Sequence, residues 1–272
     1  MVADGVLIEQ RGDQTLFLRR DLALDPAPFL ALLAEEKPGR TFQPNKGRFV
    51  LKAQPSDLGP LASKRFHYHR TYRRKQRLLM GYRWQTPHGP LQFIRALYAF
   101  RRGHLLAEPV LALRRPCGRI RQESLLVTRW AEGVSLREIF LDPERPMEAK
   151  LAFFRQGLLA LKAMHDDGIA FGDAQSRHQI IDAEERMWWL DFDKMAIRGV
   201  GRGKRDRDLR RFTSSAVVRI SQSGRDLPDA SADVLATLRE TYPLPGFWRR
   251  TLELEVKRRV ERMLNRPGFQ RP

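Results

Sequence analysis

The sequence predicts an α+β protein with a strand-rich first half and a helix-rich second half. The first part of the chain contains short apolar runs separated by turn residues, such as residues 6–8 and 16–18, which are typical of strands. The second half contains long stretches with apolar residues every three or four positions, which indicate amphipathic helices. Strands followed by helices favour an α+β arrangement in two lobes. We expect a small strand-rich N-lobe over residues 1–130 and a larger helical C-lobe over residues 131–272.

The N-terminal half is predicted to contain mainly strands. After the first two strands we expect a short helix over residues 26–36, and then strands over residues 48–51 and 61–66. Residues 90–102 have apolar positions at helical spacing and are followed by Gly103, which predicts a helix that ends there. Two further strands are expected between residues 111 and 130.

The C-terminal half is predicted to be mainly helical. Residues 147–166 form the clearest amphipathic pattern, and the helix is expected to end at Gly168. Two short strands around a polar loop follow, and then a basic linker over residues 198–211. The remainder is predicted to be mostly helix, and the last helix spans residues 249–264.

Net charge is the strongest compositional signal. Fifty Lys and Arg against 32 Asp and Glu give a net charge of +18, which attracts anionic membranes, polyanionic substrates or nucleic acid. No Asp or Glu occurs in residues 58–107, and residues 64–77, here called the basic arm, interleave basic and aromatic side chains. Such an arm suits anionic lipid and also single-stranded nucleic acid.

Cysteine usage and hydropathy limit the class of protein. The one cysteine, Cys117, excludes a disulfide framework and a cysteine-based metal cluster. No apolar run reaches the about 18 residues that a membrane span needs, and the N-terminus lacks the apolar core of a signal peptide. We expect a soluble protein in the cytoplasm.

Residues 165–195 carry the clearest chemical signal. Two strand-like runs, residues 179–181 and 187–190, flank an acidic turn and predict a hairpin. Asp173 precedes the hairpin and Asp191 follows it, so the fold-back is expected to bring the two carboxylates together. One carboxylate can then orient a hydroxyl while the other holds a hard cation.

This arrangement resembles the protein-kinase-like fold, in which a loop Asp after a long helix is followed by a hairpin and an Asp-Phe-Gly. It is closer to the lipopolysaccharide core kinases, which phosphorylate heptose or 3-deoxy-octulosonate sugars. Gly172-Asp173 is similar to that family's Gly-Asp, and residues 191–193 are similar to its Asp-Phe-Asp. Residues 207–211 resemble its later Asn/Asp-Leu-x-Arg segment. The resemblance covers residues 40–215 and is most specific at residues 165–195.

The resemblance implies roles for the carboxylates. Asp173 would orient the sugar hydroxyl and accept its proton. Asp191 would bind Mg²⁺, with Mn²⁺ as the alternative, at the phosphates of ATP. His178 and Asp193 are further candidate metal ligands.

The resemblance also implies a nucleotide-binding role for residues of the first half. Lys64 would contact the α- and β-phosphates, and Lys52 is the rival candidate. Gln92 occupies the position of the Glu that normally holds this lysine. Backbone hydrogen bonds to adenine would come from Arg129, Trp130 and Ala131.

Two of these positions depart from the family's pattern. His178 stands where the family usually has an Asn that binds the second metal, and imidazole is a poor ligand for Mg²⁺. Gln92 supplies no charge for an ion pair with Lys64. A catalytically weakened or inactive pseudokinase, acting as a binding or regulatory protein, is therefore the first alternative. The second is a nucleic-acid-binding protein that uses the basic arm.

The leading expectation is an ATP-dependent kinase that acts on a sugar hydroxyl of an anionic, lipid-linked saccharide, with the lipopolysaccharide inner core as the acceptor. Such an enzyme would work at the cytoplasmic face of the inner membrane. We expect its positive charge to hold it peripherally on the anionic membrane surface.

Overall fold

The structure is a computed structural model that describes residues 5–22, 24–25, 27, 29, 48–53, 59–66, 88–117 and 121–265. For residues 48–53, 117 and 121 it describes the backbone alone. Residues 67–77 of the basic arm, and the predicted helix over residues 26–36 except positions 27 and 29, lie outside the described residues. The chain forms two compact units. The first comprises Met1–Gly103 and Ala107–Trp130, and the second comprises His104–Leu106 and Ala131–Pro272.

The first unit contains an antiparallel sheet of six described strands in the order β1-β2-β5-β6-β4-β3. The strands are β1 (Val6–Arg11), β2 (Gln14–Arg19), β3 (Arg48–Ala53), β4 (Leu61–Phe66), β5 (Pro109–Cys117) and β6 (Arg121–Arg129). Helix α1 (His88–Phe100) packs against β4, β5 and β6. The core of this unit consists of Leu16, Leu18, Phe29, Leu61, Val110, Leu111, Leu113, Leu125 and Val127.

Helix α1 begins in close contact with β6. The backbone N–H of Gly89 donates a hydrogen bond to Ser124 Oγ at 3.1 Å. A Cβ atom at Gly89 would lie 2.8 Å from the carbonyl oxygen of Leu125, closer than real Cβ contacts. Glycine therefore allows the first turn of α1 to rest directly on the sheet.

The second unit is mainly helical. Its helices are α2 (Leu136–Leu141), α3 (Met147–Asp166), α4 (Arg202–Gln222), α5 (Leu227–Thr241) and α6 (Gly246–Leu264). Its short strands are β7 (Val134–Ser135), β8 (Ile169–Ala170), β9 (Gln179–Ile181), β10 (Met187–Trp189) and β11 (Ala196–Ile197). A 3₁₀ turn at Ser176–His178 precedes β9.

Aromatic packing joins the helices and the hairpin of the second unit. Phe154 of α3 stacks on Phe212 of α4 with ring centroids 5.1 Å apart. Trp189 of β10 packs between Phe212 and Phe171. These rings are fully buried, so they fix the position of the loop that carries Asp173.

The predicted α+β fold class is confirmed, because an antiparallel sheet forms the N-terminal region and helices form the C-terminal region. The expected linker over residues 198–211 is wrong beyond residue 201, because α4 begins at Arg202. The segment is rich in charge, but Asp208, Leu209 and Phe212 are buried. Tertiary packing therefore stabilises a helix that local periodicity does not predict. None of the described helices is both long enough and apolar enough to span a membrane.

Candidate active site

The loop that carries Asp173 has a shape that requires glycine. Gly172 has a φ of 86°, in the left-handed region that disfavours residues with a Cβ atom. A Cβ there would also overlap the backbone of Lys194. The N–H of Gly172 donates to Asp208 Oδ1 at 2.7 Å. Gly172 is therefore fixed both by its left-handed backbone conformation and by its hydrogen bond to Asp208 of α4.

Three side chains hold the Asp173 carboxylate. Its Oδ1 accepts hydrogen bonds from Gln175 Nε2 at 2.7 Å and from Arg211 Nη1, and its Oδ2 accepts from Lys194 Nζ at 2.5 Å. Burial raises the pKa of Asp173, but the hydrogen bonds from Lys194 and Gln175 and the charges of Lys194 and Arg211 outweigh it. The pKa of Asp173 therefore lies below its usual range, and the carboxylate is ionised at neutral pH.

His178 connects the Asp173 loop to the segment after the hairpin. Its Nδ1 donates to the carbonyl oxygen of Asp173 at 2.8 Å, and its Nε2 accepts from Arg177 Nε at 3.0 Å. This assignment makes the imidazole neutral. Burial lowers the pKa of His178, against the opposing effect of Asp191. The Nε2 atom of His178 lies 3.8 Å from Asp191 Oδ2. The backbone carbonyl oxygen of His178 accepts a hydrogen bond from the N–H of Leu190 at 2.7 Å.

The predicted hairpin is present. Strands β9 and β10 pair antiparallel, with Gln179 opposite Trp189 and Ile181 opposite Met187. Asp191 follows this hairpin with a φ of 58°, a left-handed conformation that is uncommon for residues other than glycine. Backbone strain of this kind is often concentrated at functional sites.

The side chains of this site fit a metal ion that also binds a substrate better than they fit a metal ion that is bound by protein groups alone. No cluster of three or more His, Cys, Asp and Glu side chains suited to a metal occurs in the described parts of the chain. Mg²⁺ commonly binds through one or two carboxylates, substrate phosphates and water. The Asp191 side chain is 35% exposed and fits this mode, whereas Asp193 is buried. Both nitrogens of His178 are engaged within the loop. Metal ligation by Asp191, Asp193 or His178 stays a prediction.

A buried network below the loop was not predicted from the sequence. Asp208, which holds Gly172, also accepts from His165 Nε2 at 3.3 Å, and His165 Nδ1 accepts from the Tyr242 hydroxyl at 2.8 Å. Asp208 and His165 are fully buried, and burial raises the pKa of Tyr242 to about 12. The network joins α3, α4 and the end of α5 to the Asp173 loop.

Sequence reasoning missed Lys194 and the pairing role of Arg211. Arg211 lies within residues 207–211, which resemble a segment of the kinase family. The sequence therefore pointed to this segment but did not predict that Arg211 pairs with Asp173. Lys194 directly follows residues 191–193, and only the folded loop brings its ammonium to Asp173.

The predicted nucleotide lysine lies in the first unit. Lys64 is on the less buried face of β4, and its Nζ is 5.7 Å from the centroid of the Phe66 ring. The backbone of Lys52 pairs with Ala62, and its side chain is outside the described residues. Gln92 is buried in α1. The nucleotide roles of these residues stay predictions.

The segment predicted to contact adenine is held within the first unit up to Trp130. The N–H of Arg129 donates to the carbonyl oxygen of Glu108 at 2.8 Å, and the N–H of Trp130 donates to that of Pro60 at 2.9 Å. The Glu108 carboxylate pairs with Arg129 and with Arg19. Ala131 begins the second part of the helical unit. Adenine binding by Arg129, Trp130 and Ala131 stays a prediction.

The fold and the loop define the class of protein. An antiparallel sheet followed by helices, with a loop Asp, a hairpin and a second Asp in order, is a two-lobed kinase-like arrangement. The sequence model of the lipopolysaccharide kinase (Kdo/WaaP) family matches residues 35–239, more than half of the chain. The chain belongs to this family, which confirms the resemblance seen in its sequence. A comparison with curated proteins found no match.

Proposed function

We propose that the protein is an ATP-dependent phosphotransferase that phosphorylates a sugar hydroxyl of an anionic, lipid-linked saccharide, the lipopolysaccharide inner core. Membership of a lipopolysaccharide kinase family supports the reaction class and the acceptor class. The single observation that carries the proposal is the Asp173 carboxylate, held ionised by Lys194 and Arg211 on the same loop as His178, whose Nε2 lies 3.8 Å from Asp191 Oδ2.

Asp173 is proposed to orient the acceptor hydroxyl and to accept its proton. An ionised carboxylate in a fixed position can do both. Lys194 and Arg211 fix its orientation, since each contacts a different carboxylate oxygen. In phosphoryl transfer such positioning, together with charge stabilisation, supplies most of the catalysis.

ATP would supply the phosphoryl group, and Mg²⁺ or Mn²⁺ would neutralise its phosphates. We propose that Asp191 holds the metal and that Asp193 and His178 support it. His178 is better suited to positioning than to ligation, because its two nitrogens already bond Arg177 and Asp173.

Further nucleotide roles are proposed for residues 129–131 and for the first unit. Lys64, with Lys52 as its rival, would contact the phosphates. Gln92 would contact this lysine through one hydrogen bond, without an ion pair. Residues 129–131 would bond adenine through their backbone.

We also propose that the protein acts at the cytoplasmic face of the inner membrane as a peripheral protein. The net charge of +18 supports attraction to anionic lipid. At the start of α6, the Phe247 side chain is 71% exposed beside exposed Trp248, Arg249 and Arg250. Aromatic and basic side chains together suit a membrane interface.

Two alternatives remain as outcomes of experiment. An inactive binding or regulatory protein is favoured by the family departures at His178 and Gln92. A nucleic-acid-binding protein would use the basic arm, whose residues 67–77 lie outside the described part of the chain. Family membership lends no support to nucleic acid as a partner.

Nucleotide binding separates a kinase from an inactive relative before the acceptor is known. We expect ATP with Mg²⁺ or Mn²⁺, at about 100 times its Kd, to stabilise the protein by about 2.7 kcal/mol. This corresponds to a Tm increase of about 5–10 °C. Asp191→Asn should lose the metal-dependent part of this increase. Asp229→Asn, at an exposed position of α5 that pairs with Arg225, is the matched control and should behave like wild type. No shift with either metal would contradict ATP dependence and favour the inactive alternative.

A further inference from the structure

Three arginines of the second unit come from three elements that pack together. Arg137 lies in α2, Arg177 in the 3₁₀ turn and Arg219 in α4. Helix α2 contacts both the 3₁₀ turn and α4. The turn is fixed to α4 because the hydroxyls of Ser176 and Ser215 are hydrogen-bonded at 2.7 Å. Arg219 is four residues after Ser215 and lies on the same face of α4.

These arginines have no carboxylate partner among the described residues. Arg177 donates to His178 Nε2 at 3.0 Å, and Arg219 donates to Gln222 Oε1 at 2.6 Å. Burial lowers the pKa of Arg219, and the charges of Arg137 and Arg177 lower it further. The charges of Arg137 and Arg177 therefore each lie close enough to Arg219 to repel it.

Four other arginines of the same unit are neutralised. Arg155, Arg210, Arg225 and Arg239 each form an ion pair with Asp or Glu. A cluster of like charges without counterions is unfavourable unless an anion binds to it. Arg137 and Arg177 are exposed, while Arg219 is half-buried, so an anion from solution can reach the cluster.

The cluster adjoins the loop of the proposed base. Arg177 is four residues after Asp173 in the same loop. It bonds His178, which in turn donates to the Asp173 carbonyl oxygen. An acidic group held by these arginines would belong to a molecule whose hydroxyl can approach Asp173.

We propose that Arg137, Arg177 and Arg219 bind an acidic group, phosphate or carboxylate, of the acceptor saccharide. This inference rests on the proposed kinase function and names the contact that would select an anionic acceptor. Guanidinium groups suit the role because their planar forks bond two oxygens of a carboxylate or phosphate.

The test compares Arg137→Gln, Arg177→Gln and Arg219→Gln, singly and combined, with wild type. Each charge-assisted contact is expected to change affinity by about 10-fold or more. Each single variant should therefore raise the KM for deacylated lipopolysaccharide core saccharide about 10-fold, with kcat changed less than about 3-fold. The Tm increase with ATP should stay unchanged. Arg219→Lys should raise the KM less than Arg219→Gln does. This comparison distinguishes an effect of the lost charge from an effect of damage to α4.

Arg258→Gln is the control for the general positive field, because Arg258 is an exposed arginine of α6. The proposal is overturned if the combined variant keeps the wild-type KM, or if Arg258→Gln raises KM as much as the cluster variants do. Treating the saccharide with phosphatase separates the two acidic groups. A KM that rises to the level of the combined variant identifies phosphate, and an unchanged KM identifies carboxylate.

Calorimetric titration of the same saccharide without nucleotide separates this inference from the proposed function. Binding by wild type and loss of binding by the combined variant support the arginine site even where no phosphate transfer is detected. Equal binding by both proteins, or no binding by wild type, refutes the site.

Discussion

Asp208→Ala tests whether the buried network holds the Asp173 loop. The substitution removes the acceptor of the Gly172 N–H, 2.7 Å away, and of His165 Nε2, 3.3 Å away. Both donors are buried, so water cannot replace the lost hydrogen bonds without a cost in free energy. A hydrogen bond to a charged group contributes about 1.5–3 kcal/mol, and a buried donor without a partner adds about 1 kcal/mol or more.

Two such bonds at the lower end of this range give an expected loss of at least about 3 kcal/mol, which lowers the Tm of the helical unit by about 6–12 °C or more. Thermal unfolding followed by tryptophan fluorescence suits this measurement, because Trp189 is buried in the same unit. Asp208→Asn keeps an oxygen for the Gly172 N–H and should lose about half as much.

Asp206→Ala is the matched control for Asp208→Ala. Asp206 lies on the same helix and forms an exposed pair with Arg202 at 3.4 Å, a kind of pair that contributes about 0–1 kcal/mol. A Tm of Asp208→Ala within 1 °C of that of Asp206→Ala would show that the buried network does not stabilise the Asp173 loop.

Three further predictions concern packing, pH and a buried amide. Gly157→Ala places a Cβ against the Phe212 ring and should cost about 1–3 kcal/mol in chemical denaturation, whereas Gly203→Ala, in open space, should cost nothing. The lowered pKa of His178 means that its contribution to stability is complete above its usual pKa of about 6.5 and is lost as pH falls through the lower folded value. The free energy of unfolding should therefore fall more steeply below about pH 6.5 in wild type than in His178→Gln, and equal slopes would contradict this. Gln179→Leu removes a buried amide without a hydrogen-bond partner in the described residues and should raise the Tm by about 2–4 °C; a lower Tm would indicate that the amide has a partner.

The parts of the site that are close in sequence were predictable. Helix α3, the Gly172-Asp173 turn, the hairpin and Asp191 follow one another within residues 147–191, and each has a local signal in periodicity or turn residues. The hydrogen-bond partners of Asp173 were harder to predict from the sequence. Arg211 reaches it from α4, and that helix begins in a segment whose charge made it look like a linker. Only tertiary contacts decide such pairings.

Residues 58–107 contain no Asp or Glu, so no carboxylate of that stretch can pair with Lys64, and the sequence alone is enough to show this. The partners of Glu108 could not be foreseen. Its carboxylate pairs with Arg19 and Arg129, which come from distant strands of the same sheet. The arginine cluster could not be predicted from the sequence either, because only helix packing brings Arg137, Arg177 and Arg219 together.

A comparison of phosphate transfer by wild type and by Asp173→Asn shows whether Asp173 acts as the general base. Labelled γ-phosphate of ATP is followed into deacylated lipopolysaccharide core saccharide in the presence of Mg²⁺. We expect transfer by wild type and a rate at least about 100-fold lower for Asp173→Asn, the usual loss for a missing general base, with the Tm increase from ATP retained. Equal rates for the two proteins, or no transfer by a wild-type protein that binds both ATP and the saccharide, would contradict this expectation.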